Sequence, residues 1–147
     1  MKTIKVKVIN HSNNELPQYA TPMSAGMDLR AFTDEPITIV PGERKLIHSG
    51  INIQLPEGYE LQVRPRSGLA LKHGITLTNA PGTVDADYRG DVGAIVHNLG
   101  TEPFIINNGD RICQIVAKEY VKIKWEETDT LDPTERGEGG FNSTGVK

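Results

Sequence analysis

The sequence contains little cysteine and few aromatic residues, and both shortages limit what the protein can be. Among 147 residues there is one cysteine, and aromatic residues make up 5%. The lone Cys113 cannot form an internal disulfide, and its apolar neighbours predict a buried, unreactive thiol in a reducing compartment. With so few aromatic side chains, valine, isoleucine and leucine have to build the core.

The chain also lacks a long apolar run and any block of like charge. Nineteen acidic and sixteen basic residues give a net charge of −3, without the basic footprint of a protein that binds DNA or RNA. Residues 1–8 alternate lysine with apolar residues, a pattern that predicts a strand and neither a signal peptide nor a membrane span. We therefore expect a cytoplasmic protein that binds no polymeric nucleic acid and no membrane.

Apolar and polar residues alternate with a period of two in many short segments, which is the pattern of half-buried β-strands. The predicted strands are 1–8, 37–40, 46–48, 51–55, 59–63, 74–78, 92–96, 104–106, 112–116 and 121–125. Proline, glycine and asparagine separate them, and only residues 67–73 have the composition of a short helix. The sequence predicts one all-β domain over residues 1–125, a sandwich or barrel, followed by a glycine-rich tail over residues 126–147.

Within the segment 79–91, two closely spaced carboxylates and a tyrosine lie between strand-like runs. A Pro-Gly pair precedes Asp85, Asp87 and Tyr88. Such a hairpin can set a general base and an aromatic wall beside one small ligand. However, asparagine, proline, glycine and aspartate are the usual turn formers, and an isolated aspartate is most often solvent-exposed. Taken alone, the segment favours an ordinary turn.

Two other segments carry groups that suit a phosphate. Arg66, Ser67 and Gly68 precede the predicted helix, where backbone amides point at an anion, although Ser67 can equally cap that helix. In the tail, an arginine and two hydroxyl groups suit phosphate, and Phe141 can stack on a base. The alternative for the tail is a mobile terminus without a function.

Five segments occur in the order and spacing of the motifs of the all-β dUTP pyrophosphatases (dUTPases). They read Ala-Gly-Met-Asp-Leu-Arg-Ala at 25–31, Arg-Ser-Gly-Leu-Ala at 66–70, Gly-Thr-Val-Asp-Ala-Asp-Tyr-Arg-Gly at 82–90, Gly-Asp-Arg-Ile-Cys-Gln at 109–114 and Arg-Gly-Glu-Gly-Gly-Phe-Asn-Ser-Thr-Gly at 136–145. The chain resembles this family over nearly its whole length. The resemblance implies a jelly-roll-like β fold of the β-clip type and a homotrimer with active sites at subunit interfaces, each closed by the tail of another subunit. It also implies Mg²⁺-assisted hydrolysis of dUTP to dUMP and pyrophosphate, which lowers dUTP and supplies dUMP for thymidylate synthesis.

The same resemblance implies roles for individual residues. Asp85 matches the residue that activates the attacking water, and Asp28 matches an acid that acts near the metal through metal-bound waters. Tyr88 matches the aromatic that packs against deoxyribose and leaves no space for a 2′-hydroxyl. The other matched positions contact the substrate: Asn79 near uracil, Arg66, Ser67, Gly68 and Gln114 at the phosphates, Phe141 over uracil, and Arg136, Ser143 and Thr144 near the terminal phosphates.

One geometric expectation follows from the spacing of two of these residues. Asp85 and Tyr88 are three positions apart and would face opposite sides of a flat strand. Both therefore reach one nucleotide only if the chain bends between them, and Ala86-Asp87 is the expected bend.

Two positions depart from the commonest family pattern. Met27 stands where tyrosine or alanine is frequent, and Asn142 follows Phe141 where glycine is usual. Asparagine tolerates a left-handed backbone, so the tail can still turn there with less freedom than glycine allows. Neither departure removes a reactive group.

Two rival functions remain open from sequence. dCTP deaminase shares the fold and a related arginine-serine segment, but here Ser67 is followed by glycine and Asp85 is present, which favours hydrolysis of dUTP. A non-catalytic nucleotide sensor should have lost reactive groups, and Asp28, Asp85 and Tyr88 are all intact. The four histidines have no metal-ligand spacing. Three further arginines can equally be structural salt-bridge partners and are left off the predicted site: Arg30, Arg64 and Arg89.

Overall fold

The computed structural model describes residues 2–140, which form eleven β-strands and one short helix. In chain order these are β1 Lys7–Asn10, β2 Met27–Arg30, β3 Ile37–Ile39, β4 Arg44–Ile47, β5 Ile51–Gln54, β6 Tyr59–Arg64, α1 Ser67–His73, β7 Ile75–Leu77, β8 Gly82–Val84, β9 Ala94–Asn98, β10 Phe104–Ile106 and β11 Arg111–Glu119. The prediction of an all-β fold with at most one short helix is confirmed. None of the helical segments in this part of the chain has the length and hydropathy to span a membrane.

The strands form four antiparallel sheets that remain open at their edges. The largest has the order β2-β11-β6-β8, the second has the order β4-β9-β7, and two further pairs are β1-β5 and β3-β10. Strands of every sheet contribute to one core of aliphatic side chains, and the largest fully buried ones include Leu29, Ile39, Ile47, Ile75, Ile106 and Ile112. The predicted aliphatic core is therefore confirmed, and each such side chain stabilises the fold by about 1.5–3 kcal/mol when it is removed from water.

Most predicted elements lie within one or two residues of the observed ones, and the helix has the bounds predicted for it. It ends at Gly74, whose left-handed backbone (φ 67°) is a usual helix terminator and whose amide donates to the carbonyls of Ala70 and Leu69. Two short strands were not predicted, β2 and β8. The strand predicted at 1–8 is shorter and lies later in the chain, because the residues that pair with β5 are Lys7–Asn10.

The predicted strand at 121–125 is wrong for this chain. Val121, Ile123 and Trp125 are 91%, 71% and 83% exposed, and no strand follows Glu119 among residues 120–140. The alternation is present, but the chain supplies no neighbouring strand that pairs with the segment or covers its apolar face.

The largest sheet determines where the site residues lie. β11 runs through its middle, with Gln114 opposite Asp28 of β2 on one side and opposite Arg64 of β6 on the other. β8 forms the far edge, where Val84 pairs with Leu61 of β6. The acid of β2 and the hairpin that follows β8 therefore lie at opposite edges of one sheet, three strand spacings or roughly 14 Å apart.

Candidate active site

The hairpin after β8 bends where the sequence predicted a bend. Ala86 and Asp87 form a turn, and the Tyr88 amide donates to the Asp85 carbonyl at 3.1 Å. The Arg89 guanidinium closes the turn by donating to the carbonyls of Ala86 (2.7 Å) and Tyr88 (2.8 Å). The turn brings Asp85 and Tyr88 to the same side of the chain.

A cavity of about 380 Å³ lies against this hairpin, and its wall contains Asn79, Asp85 and Tyr88. Buried aliphatic residues of four strands form its apolar part: Val63, Leu77, Val84 and Ala94. Asp85 and Asn79 are exposed, and the Tyr88 ring is 45% exposed. A carboxylate, an amide and an aromatic ring thus converge on one largely apolar pocket, which is the usual composition of a small-molecule site.

Gly82 lies in the wall of this cavity beside Asn79. A Cβ at Gly82 would lie 3.2 Å from Asn79 Nδ2 and 3.5 Å from Val63 Cβ. The amide of Asn79 therefore lies directly against the hairpin backbone. Gly82 is itself buried, and its missing side chain leaves the space against which Asn79 and Val63 pack.

Two residues in the wall of this cavity were missed by sequence reasoning. His48 Nδ1 lies 3.1 Å from Asp91 Oδ1, and the same oxygen accepts from the Ser49 amide at 3.2 Å. These contacts join the end of the hairpin to the chain between β4 and β5. The sequence carries no local signal for the pair, because its members are 43 positions apart.

A second group of site residues is built around Asp28 on β2. Its Oδ1 accepts from Arg66 Nε at 3.0 Å, and its Oδ2 accepts from Arg111 Nη1 at 3.2 Å. Arg66 Nη1 also donates to the Arg111 carbonyl at 3.0 Å. We call these three residues the acid-arginine cluster. Arg111 was not among the predicted site residues, although it lies within one of the quoted motifs.

Gln114 lies beside this cluster and is tightly enclosed. Its Nε2 donates to the Pro65 carbonyl at 2.9 Å, and a Cβ at Gly26 would come within 2.8 Å of its Oε1. The glycine of the first motif is therefore required for the glutamine to take this position. Ser67 and Gly68 are exposed at the start of α1.

The alternative in which Ser67 caps the helix is wrong. Arg66 is the N-cap residue, with an extended backbone (φ −95°, ψ 129°), and the cap makes no side-chain hydrogen bond. Ser67 is the first helical residue, and its hydroxyl is exposed.

The predicted site residues form two separate groups in this chain. Asn79, Asp85 and Tyr88 share the hairpin cavity, whereas Asp28 and Arg111 line a different cavity of about 170 Å³. Asp85 follows the end of β8 that pairs with Leu61, and Arg66 follows the opposite end of β6. The intervening extended residues separate Asp85 from Arg66 by roughly 20 Å along the strand.

The tail contributes one described site residue. Arg136 Nε donates to the Gly139 carbonyl at 2.8 Å, within a local turn. The predicted positions Phe141, Ser143 and Thr144 lie outside the described residues.

The remaining arginines and the cysteine have structural environments. Arg30 donates to the Gly109 carbonyl at 2.7 Å, and Arg64 Nε donates to Gln62 Oε1 at 3.0 Å, so these two, like Arg89, bind neutral oxygens where salt bridges were expected. Burial, and to a smaller extent the negative charge of Asp28, raises the pKa of Cys113 to about 12. The thiol is therefore buried and protonated, as the sequence predicted.

Comparison with known proteins identifies relatives over the whole chain. The family model for dUTPase matches residues 12–145. The deoxyuridine 5′-triphosphate nucleotidohydrolase of Finegoldia magna is 56% identical over 142 residues, 97% of this chain and 99% of that protein. The protein of the same name from Rickettsia akari is 55% identical over 143 residues, 97% of both chains.

Solved structures show the same fold at lower identity. A dUTPase of Staphylococcus bacteriophage 80alpha with dUpNHpp superimposes with a TM-score of 0.87 at 23% identity, over 98% of this chain and 100% of that one. The dUTPase of phage phi11 of S. aureus, solved with a structural Mg(II) ion, gives a TM-score of 0.79 at 20% identity, over 88% of this chain and 100% of that one. The jelly-roll-like fold expected from the motifs is thereby confirmed.

Proposed function

The chain belongs to the dUTPase family, and from that premise we propose that it hydrolyses dUTP to dUMP and pyrophosphate. The observation that carries the proposal is the convergence of Asn79, Asp85 and Tyr88 on one hairpin cavity. These residues supply an amide for a base, a carboxylate for a water and a ring for a sugar. The dUMP produced would supply thymidylate synthesis, and the removal of dUTP would lower its concentration.

In this proposal Asp85 is the general base. Its exposed carboxylate, beyond the end of β8, faces a cavity open to water. A carboxylate within hydrogen-bond reach of a water takes up the proton that the water loses as it attacks the α-phosphorus. The step transfers the α-phosphoryl group from pyrophosphate to the water oxygen.

The same cavity would select the base and the sugar. Asn79 and backbone groups of the hairpin would pair with uracil, and a cytosine would leave those polar groups unpaired, which makes rejection strong. The Tyr88 ring would pack against deoxyribose where a 2′-hydroxyl has no space. Shape and hydrogen bonding would thus discriminate against different competitors.

The phosphates would bind to the second group. Arg66 supplies a guanidinium, Gln114 an amide and Ser67 a hydroxyl, with Gly68 allowing close approach; charge-assisted bonds from guanidinium to phosphate are the strongest of these. We divide the chain into a β domain, residues 1–125, and a tail, residues 126–147. The tail would close over a site. Arg136, Ser143 and Thr144 would reach the terminal phosphates, and Phe141 would cover the uracil.

The residues present fit Mg²⁺ in one particular way. Within residues 2–140 no group of three or more histidine, cysteine, aspartate or glutamate side chains is arranged to hold a metal. Mg²⁺ commonly keeps several waters and uses one or two carboxylates together with substrate phosphates. Asp28 engages two guanidiniums and retains about two of its four acceptor positions for water. When bound, the metal would neutralise charge on the leaving pyrophosphate.

A homotrimer with shared sites is the assembly we propose. The separation of Asp85 from Arg66 by roughly 20 Å along β6 supports it, because a single triphosphate has to be contacted by both groups. The exposed apolar face of Val121, Ile123 and Trp125 also supports burial against another subunit. We further propose the cytoplasm as the location, in agreement with the buried free thiol of Cys113.

The test is pyrophosphate release from dUTP, dTTP, dCTP and UTP, with and without Mg²⁺. We expect turnover of dUTP only, dependent on Mg²⁺. Asp85→Asn should lower kcat for dUTP by about 10²–10⁴. Asp87→Asn removes the same charge two residues away in the same turn and should leave the rate near wild type. An Asp85→Asn enzyme as fast as wild type would eliminate the proposed base, and ammonia release from dCTP would identify a deaminase.

A further inference from the structure

The ring of Tyr88 folds back over Gly90 and is held there. A Cβ at Gly90 would overlap the Tyr88 Oη and Cζ atoms and would lie 3.0 Å from Cε2. The Tyr88 hydroxyl donates to the Asp91 carbonyl at 3.2 Å. The ring therefore occupies the space that any side chain at position 90 would fill.

The backbone conformation at Gly90 does not itself call for glycine. Among residues 2–140, six other glycines have a left-handed backbone, and Gly90 is not one of them. An alanine could adopt its φ and ψ angles without the usual strain. Glycine is required at position 90 because the Tyr88 ring occupies the space that a side chain would need.

The backbone on both sides of Gly90 is fixed by contacts with β5 and the residues before it. Asn52 Nδ2 donates to the Arg89 carbonyl at 2.8 Å, and Asp91 forms a bridge with Asn52. The Val92 amide donates to the Ile51 carbonyl at 2.8 Å. The ring, by contrast, is half-exposed and hinged at its own χ angles. A methyl group at position 90 would therefore displace the ring and leave the backbone in place.

We propose that Gly90 is a positioning residue for sugar discrimination, since its missing side chain fixes where the Tyr88 ring lies. The inference rests on the proposed function, in which that ring excludes the 2′-hydroxyl. The ring can exclude a 2′-hydroxyl only if it is held in one position. A displacement of about 1 Å in such a site can lower the reaction rate by up to a hundredfold. Gly90 would act on substrate choice without touching the substrate.

The experiment compares kcat/KM for dUTP with kcat/KM for UTP in four enzymes: wild type, Gly90→Ala, Tyr88→Ala and the double variant. We expect Gly90→Ala to lower the dUTP to UTP ratio by roughly ten- to a hundredfold. In the Tyr88→Ala background the ring is gone, so adding Gly90→Ala should change the ratio no further. This cycle separates an effect transmitted through the ring from a general loss of stability, which would lower both rates together.

Three results would overturn the proposal. These are an unchanged ratio in Gly90→Ala, a loss that persists undiminished in the Tyr88→Ala background, and a Gly90→Ala protein that fails to fold and is not recovered by Tyr88→Ala. A crystal structure of Gly90→Ala gives a readout independent of activity, because the ring should have moved from the Asp91 carbonyl. A wild-type enzyme that leaves dUTP intact would refute the proposed function, while this structural comparison would still test the packing.

Discussion

If each active site combines residues of two subunits, then two different inactive variants should restore activity when their subunits are mixed. Asp85→Asn damages the hairpin half and Arg66→Ala damages the cluster half, and the two positions are separated by roughly 20 Å along β6. In a mixed trimer, an Arg66→Ala subunit still supplies Asp85, and an Asp85→Asn subunit still supplies Arg66. Some interfaces therefore contain two intact halves.

The size of the recovery follows from counting interfaces. With equal amounts and random exchange, about one interface in four combines an intact Asp85 with an intact Arg66 across a cyclic trimer. Losing a charge-assisted bond to phosphate costs about 1.5–3 kcal/mol, which should lower the activity of Arg66→Ala by roughly ten- to a hundredfold. Because the less active Asp85→Asn makes up half of the mixture, the two parents without subunit exchange would together retain at most about 5% of wild-type activity. Exchange should raise this to about a quarter.

The assay is pyrophosphate release from dUTP after the two variants are unfolded together and refolded. A mixture of Asp85→Asn with Tyr88→Ala is the matched control, because both lesions lie in the same hairpin and no subunit carries an intact one. It should show no gain. If the first mixture also stays at the level of its parents, although subunit exchange is demonstrated, the site lies within one subunit and the reasoning from sheet geometry is wrong.

Two further predictions concern stability. Asp28→Asn should lower the free energy of unfolding by about 1–2 kcal/mol, because two charge-assisted hydrogen bonds at a partly exposed site are weakened. Urea titration without nucleotide measures this change. The control is Asp34→Asn, on an exposed loop, which should cost less than half as much. The second prediction concerns Cys113, whose pKa rises from 9.0 to about 12 on folding. The protonated thiol therefore contributes its full stabilisation of the native state below pH 9.0. Above pH 9.0 that contribution should fall by about 1.4 kcal/mol per pH unit. The free energy of unfolding is measured against pH for wild type and Cys113→Ala. Wild type should lose stability more steeply than the variant above pH 9.0, and equal slopes would contradict the prediction.

Local sequence patterns predicted the elements whose signals are local. The helix is an example: its residues favour helix, and Gly74 ends it with a left-handed backbone. Strands β3 and β10 are others, since β3 alternates apolar and polar residues, β10 is a short apolar run, and turn-forming residues follow them at Pro41-Gly42 and Asn107-Asn108-Gly109. In these cases the residues that determine the structure lie within the element or beside it.

The failures occur where structure depends on a partner distant in sequence or outside the chain. Val121, Ile123 and Trp125 alternate as well as any observed strand does, but a period of two shows only which residues share a face. Whether that face is covered depends on a neighbour, which this chain does not provide. β2 is the converse case, because four residues gave a weak local signal and pairing with β11 makes them a strand.

The sequence predicted most residues of the candidate site, but it did not predict which of their side chains contact each other. Motif resemblance supplied Asp28, Arg66 and Gln114, and the spacing of Asp85 and Tyr88 predicted the bend between them, because residues three apart face opposite sides of a flat strand. It did not supply the contact between Arg111 and Asp28, which are 83 positions apart. Periodicity and turn propensity are short-range properties, so a side-chain pair of this separation is visible only in the folded chain.

Under the proposed function, the acid-arginine cluster is the place where a protein of net charge −3 would present cationic groups to a polyphosphate. Two guanidiniums close together repel each other, and without a shared anion each would turn towards solvent. Asp28 accepts one bond from each, so both are already ordered before substrate arrives, and binding does not have to restrict them. The same carboxylate keeps acceptor positions free for water, which is the form in which Mg²⁺ most readily meets a protein. In the proposed function a single aspartate would thus order the groups for phosphate and also face the metal, because the two roles would use different lone pairs.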